Sequence, residues 1–338
     1  MIFHTGTTRR CRIVAVSISM VLGACQPAFA QTPDQGDIWT IRAENDKIST
    51  QPRGSDRNYT NGVQASWMSG ANKVPVYAGD FAHLLWGDGQ VRVGLGFSQR
   101  IYTPSNLGLR NPDPRDRPYA GFLAGTGTLL HETGTRQDIL ALTLGVIGPL
   151  ALGEQVQNGF HRLIQVDTAK GWSHQLPNEG AAELLTQRTW RRPLGSFAGL
   201  DSDILPSLAL GVGTVRDYVQ SGIVFRIGQG LNTDFGPARI GPGINGSDAY
   251  AAAPAASWYV FSGVSGQAIG RDAFLDGALF SRSVHVDRNI LVGELQAGVA
   301  VIWQGVRLTY TQTWQTEQYR HQRPGLFNFG SLTLSATF

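Results

Sequence analysis

The sequence has little cysteine, little charge and almost no lysine, and each shortage excludes something. Its two cysteines, Cys11 and Cys25, both fall within the first thirty of 338 residues. There Arg9, Arg10 and Arg12 precede an apolar run from Ile13 to Ala24, and Ala28-Phe29-Ala30 forms a small-x-small cleavage site before Gln31. That pattern is a secretory signal peptide. Leu22-Gly23-Ala24-Cys25 also resembles a lipoprotein cleavage box, but the well-formed second site favours cleavage after Ala30. The chain therefore divides into 1–30, a signal peptide, and 31–338, one mature domain without cysteine, which leaves neither a disulfide framework nor a thiolate metal site. Charged residues are 16%, against ~25% in ordinary soluble domains. A net charge of +3 is too small to argue for nucleic acid as a partner. Only Lys47, Lys73 and Lys170 are lysines, so arginine carries nearly all the positive charge. No uninterrupted apolar run reaches the ~18 residues of a transmembrane helix; 139–153 comes nearest, and Pro149 breaks it. No Gly-x-Ser-x-Gly elbow occurs, which argues against a serine hydrolase.

What the sequence does contain is a period of two. Trp39, Ile41 and Ala43 alternate with Thr40, Arg42 and Glu44; Val91, Val93, Leu95 and Phe97 alternate with Arg92, Gly94, Gly96 and Ser98. The same alternation links Tyr59, Val63, Ala65 and Trp67, then Val306, Leu308, Tyr310 and Trp314, and Leu332 to Phe338 closes the chain. One face is apolar with aromatic ends, and the other carries small and polar residues. Together with a signal peptide, this reads as an all-β fold: a transmembrane antiparallel β-barrel of about 12 strands, closed because lipid tolerates no open sheet edge. The expected strands are 37–46, 57–69, 90–102, 119–131, 137–148, 178–191, 203–217, 219–229, 256–270, 287–303, 305–317 and 328–338. Two connections, 70–89 and 230–255, are long for the periplasmic side; the first is expected to contain a short helix from Phe81 to Trp86.

If both chain ends are periplasmic, the first, third and fifth connections lie outside. They carry Asn45-Asp46, the run from Asp56 to Gly62, Tyr102 to Ser105, Arg115 to Gly121, and finally Gln157, His161 and Asp167. The polar clusters thus gather at one rim. After Gly148-Pro149 a short helix is expected in this extracellular loop, placing Gln157 and His161 four residues apart on one face. A histidine with an amide one turn behind it and a carboxylate ahead can activate water. The bland readings are that Asn45-Asp46 is turn chemistry, Thr60 is barrel lining and Asp116-Arg117 is an ion pair pinning a loop. His131 reads as structural, in the turn between strands 4 and 5.

Six motifs in order carry a resemblance: Glu44-Asn45-Asp46, Tyr59-Thr60-Asn61-Gly62, Ile101-Tyr102-Thr103-Pro104-Ser105, Asp116-Arg117-Pro118-Tyr119-Ala120-Gly121, Val146-Ile147-Gly148-Pro149 and Gln157 to His161. Together they resemble the outer-membrane lipid A 3'-O-deacylase family. The resemblance covers the first half of the mature chain; the second half matches only as barrel strands. It implies a multi-pass barrel in the outer membrane, acting as a monomer at the extracellular face, with Ca2+ as cofactor and lipid A of lipopolysaccharide as substrate. It also implies hydrolysis of the ester-linked 3'-acyloxyacyl chain. Carried over by position, the catalytic set is His161, Asp167, Gln157, Thr60 and Asn45, with Asp46 and Asn45 toward the metal. Arg110 lies nearest to a basic loop position, and Arg110 and Arg117 could grip a lipid phosphate. Two other readings stay open: a non-catalytic structural or channel-forming barrel, and an outer-membrane phospholipase.

Overall fold

The strands form because β-branched and aromatic residues alternate with small polar ones, and twelve of them close into a ring in which each has a neighbour on both edges. The computed structural model describes residues 36–48, 57–240, 246–252 and 256–338. The expected signal peptide, with Cys11 and Cys25, lies outside the described residues, as does Asp56. Strands β1 (Ile38–Asn45) and β2 (Asn58–Met68) lead to helix α1 (Val76–Trp86). Strands β3 (Gln90–Thr103), β4 (Ala120–Glu132) and β5 (Arg136–Ile147) follow, then helix α2 (Gly153–Leu163). The remainder is β6 (Glu179–Trp190), β7 (Arg192–Phe197), β8 (Leu200–Gly213), β9 (Arg216–Gln229), β10 (Ser257–Asp272), β11 (Leu291–Trp303), β12 (Val306–Gln315) and β13 (Phe327–Thr337). Neighbours pair antiparallel; β1 joins β13 and β6 joins β8, so twelve strands make a closed ring. Strand β7 pairs only with β8 and prolongs β6 past a break at Arg191. The expected strand 178–191 is found as β6, and β7 is an additional strand in the stretch read from the sequence as a connection. The expected turn between 217 and 219 lies instead at Thr214-Val215, where the Asp217 carboxylate accepts the Gly213 amide at 2.8 Å.

The burial pattern is inverted relative to a soluble protein. Trp39 and Ile41 are 56% and 66% exposed, whereas Thr40, Arg42 and Glu44 between them are at 2% or less. Apolar residues outside and buried polar residues inside are what a hydrocarbon solvent selects. The outer face is the lipid belt and the inner face is the lumen.

The lumen is filled. The long connection from β9 to β10 folds back inside the ring: its Asp234 pairs with Arg226 at 2.7 Å and with Arg307 at 3.2 Å, and accepts the Tyr259 hydroxyl at 2.8 Å. Farther along, the Ile240 amide donates to Glu44, Arg239 pairs with Glu294, and Asp248 pairs with Arg42. Asp203 completes the set on Arg226 at 2.6 Å. Toward the rim that carries the β1–β2 connection, Tyr59, Tyr102, Phe122, Phe274, Phe327 and Phe329 cluster across the interior. The length of this connection is thus explained as a plug. The other long connection holds α1, which begins at Val76, five residues ahead of the helix expected from the sequence.

Candidate active site

Three of the sequence-picked site residues, Asn45, Asp46 and Thr60, sit at the β1–β3 rim. Alternation along β1 turns Glu44 into the lumen and Asn45 outward. Asn45 donates to the Asn61 amide oxygen at 3.3 Å and accepts the Lys47 amide at 2.7 Å. Asp46 opens a 3-10 turn, is buried, and accepts the Arg57 amide at 3.1 Å. Between Tyr59 and Asn61 the register of β2 against β3 slips by one residue. This bulge at Thr60 re-aims Tyr59, which the simple alternation had placed on the apolar outer face, into the lumen, where its hydroxyl meets Glu44 at 2.8 Å. Bulges commonly redirect side chains beside functional sites. Thr60 is left sharing a 2.6 Å hydrogen bond with the Thr103 hydroxyl.

The second cluster is carried by α2, which packs on the outer side of β3 and β4. Gly121 on β4 permits this approach: a Cβ there would lie 3.1 Å from the Gly153 nitrogen. Gln99 of β3 donates to the Ala151 carbonyl at 2.6 Å, just ahead of the helix. Four residues along the same strand stands Thr103, so β3 connects the two clusters. The helix has an apolar side, on which Val156, Phe160 and Leu163 are exposed. Its opposite side, with Gln157 and His161, is buried.

Two hydrogen bonds set the chemistry of that buried side. His161 Nδ1 lies 2.7 Å from the main-chain carbonyl of Asp167. A carbonyl only accepts, so Nδ1 carries the proton and Nε2 is the basic nitrogen of the neutral ring. Trp172 Nε1 donates to Gln157 Oε1 at 2.9 Å. An indole only donates, which orients the amide and turns its Nε2 away. That buried Nε2 has no acceptor among the described residues. Asn158 braces the returning chain by exchanging two hydrogen bonds with Ala169, and Trp172 packs on Tyr119 at 4.9 Å.

Several assignments change on this geometry. Asp167 does orient His161, but through its carbonyl; its side chain is exposed. Asp167→Asn is accordingly expected to keep activity within a few-fold of the parent, checked by turnover in detergent, because the carbonyl is untouched. Arg110 is exposed in its loop. Asp116 pins the loop through the amides of Ser105 and Arg117 and the Tyr319 hydroxyl, not through the Arg117 guanidinium. Arg117 is buried over the Tyr102 and Tyr319 rings, and its Nε and Nη1 have no hydrogen-bond acceptor among the described residues. His131 lies on β4 itself, facing outward beneath α1, 5.8 Å from the Trp86 ring. The residues that sequence reasoning missed are Trp172, Asn158, Asn61 and Thr103. Thr103, Asn61 and Asn158 stood within quoted motifs without being singled out, and nothing local marked Trp172 as a partner of the site.

Asp46 offers carboxylate oxygens and Asn45 an amide oxygen, the donor type that calcium takes in preference to thiophilic or imidazole-bound metals. Among the described residues no three His, Cys, Asp or Glu side chains gather as a metal cluster.

The family model described as outer membrane protein LpxR matches residues 14–338. Among solved structures, LpxR from Salmonella typhimurium is similar, with a TM-score of 0.73 at 20% identity, covering 89% of this chain and 100% of that one. The β domain of the Bordetella autotransporter BrkA aligns with a TM-score of 0.44 at 12% identity, over 90% of this chain and 100% of that one. A search of curated proteins returns no match. With a family model spanning nearly all of it and a twelve-stranded ring of the same fold, the chain belongs to the LpxR family of outer membrane proteins.

Proposed function

We propose that this barrel is a calcium-dependent lipid A 3'-O-deacylase, releasing the ester-linked 3'-acyloxyacyl chain at the extracellular face as a monomer. The observation that carries the reading is the pair on α2: a histidine fixed as a base beside an amide donor that is buried, oriented and without an acceptor. Burying an amide hydrogen without a partner costs about 1–3 kcal/mol, which a developing oxyanion would recover. The pair lies on the lipid side of the wall, so a membrane lipid reaches it without entering the lumen.

In the reaction, His161 Nε2 takes a proton from water as the oxygen attacks the ester carbonyl carbon. The oxyanion accepts from Gln157 Nε2, with the Thr60 hydroxyl and Asn45 amide as further candidate donors at the rim. Collapse breaks the bond to the sugar oxygen, which leaves with the proton from His161 as the 3'-hydroxyl. The other product is the free acyloxyacyl acid. Asp46 and adjacent carbonyl oxygens would hold calcium, assisted by Asn45, and the ion when bound supplies Lewis-acid stabilisation. Arg117 remains a candidate for a lipid phosphate, since its unpaired guanidinium donors match such oxygens.

A lumen occupied by the plug and the aromatic cluster counts against a channel. A phospholipase would use the same chemistry on another lipid, so the substrate decides. Mass spectrometry of lipid A from cells expressing the chain should show loss of the 3'-acyloxyacyl mass. Chelation should abolish that loss, added calcium should restore it, and Asp46→Ala should mimic chelation. Unchanged lipid A beside a correctly inserted barrel would overturn the reading, and full activity in excess chelator would remove calcium from it.

A further inference from the structure

Helix α1 has no place in the deacylation chemistry, yet it is clamped firmly to the outer wall at the barrel end that holds the termini. The chain leaving β2 is tied down by Asp37, which accepts the Gly70 amide and the Trp67 indole at 3.0 Å each. The Asn72 side chain receives the Val91 amide of β3. At the far end, Arg136 of β5 donates to the Trp86 carbonyl at 2.6 Å, and His131 Nε2 lies 3.1 Å from the Gly87 carbonyl. Ala78, Gly79 and Ala82, small enough for close approach, form with Trp86 the side nearest the wall, and Ala82 is fully buried. His131, on the outward face of β4, is fully covered as a result.

The rest of the helix is divided lengthwise. Tyr77, Phe81, Leu84 and Leu85 recur at the i, i+4, i+7, i+8 positions of one stripe. All four are exposed, Leu84 at 82%. The other flank carries Asp80 and His83, and Lys73 and Asp88 lie just beyond the two ends. Beside the helix on β3, the outward residues Leu95 and Phe97 are exposed in the same way and belong to the lipid belt. The apolar stripe therefore continues a surface already made for hydrocarbon, while the polar flank suits headgroups and water. A stripe of this size would be costly to leave in water, and an amphipathic helix with these two sides lies in a membrane interface.

We propose that α1 is an interfacial anchor, its Tyr77-Phe81-Leu84-Leu85 stripe inserted among the acyl chains of glycerophospholipids in the leaflet at the termini end. With the termini in the periplasm, as the functional reading places them, that leaflet is the periplasmic one; the insertion itself does not depend on catalysis. The anchor fixes the depth and tilt of the barrel from the side opposite the α2 site.

The test is hydroxyl-radical footprinting of the whole protein in vesicles of phosphatidylethanolamine and phosphatidylglycerol. Tyr77 and Phe81 should escape oxidation as completely as Trp39 and Phe97 of the belt, while His83 is oxidised. Oxidation of Tyr77 and Phe81 as fast as His83 would place the stripe in water and overturn the proposal. Because the readout is lipid against water, it stands or falls separately from lipid A turnover, which the same preparation reports in parallel.

Discussion

His161→Ala is expected to lower lipid A deacylation by about 100- to 10,000-fold, the usual loss for a positioned general base, in a barrel that still inserts and remains heat-modifiable on gels. The reason is geometric. With Nδ1 committed to the Asp167 carbonyl, the basic nitrogen of the neutral ring is Nε2, and alanine leaves no group to take the proton from water. The fold should tolerate the change, because α2 is also held by the Gly121 contact, by Gln99 and by the Asn158–Ala169 exchange. Turnover by His161→Ala within a few-fold of the parent would remove the residue from the mechanism.

The second large effect concerns stability. Asp234→Ala should destabilise the folded barrel by about 3–5 kcal/mol, the cost of removing one partner from a buried ionic cluster. Asp234 touches Arg226, Arg307 and the Tyr259 hydroxyl, and all three side chains are shielded from solvent. Without the carboxylate, Arg226 keeps Asp203 as its charged partner among the described residues, and Arg307 keeps the Ser247 and Asp248 carbonyls and the face of the Tyr250 ring. Urea unfolding followed by loss of heat-modifiable migration measures the change. Asp113→Ala, which breaks the exposed pair with Arg115, should have no measurable effect and serves as the control. Equal stability of the two variants would mean that the plug does not support the ring.

The barrel was legible because its signal is local and repeated: each strand announces its two faces within five or six residues. Where a side chain's role is set by distant partners, that signal fails. Nothing in 230–255 alternates, since the segment answers to Arg42, Arg226, Glu294 and Arg307 on four different strands. Strand β7 beyond Arg191 was missed for a related reason: the join is held by the Arg191 side chain, which donates to the Gly134 and Asp234 carbonyls, one in the β4–β5 turn and one in the plug. At the site, the helix and the Gln157–His161 spacing could be read, as they follow from a period of 3.6. The partner of His161 was placed at the right residue and the wrong atom, because a main-chain acceptor carries no side-chain signature. Trp172 carried no local signal of a role, although it is what orients Gln157.

The bulge at Thr60 bears on how this protein can change over evolutionary time. A one-residue deletion between Asn58 and Gly62 would restore regular pairing with β3, and in doing so would turn Tyr59 toward lipid and break the Thr60–Thr103 hydrogen bond. The Glu44 carboxylate in the lumen would lose the Tyr59 hydroxyl at the same moment. An inserted residue would shift Asn61 away from Asn45. Substitutions along this stretch are separable, one contact at a time; insertions and deletions are not. The interval from Asn58 to Gly62 is therefore expected to keep its length even where the residues filling it drift.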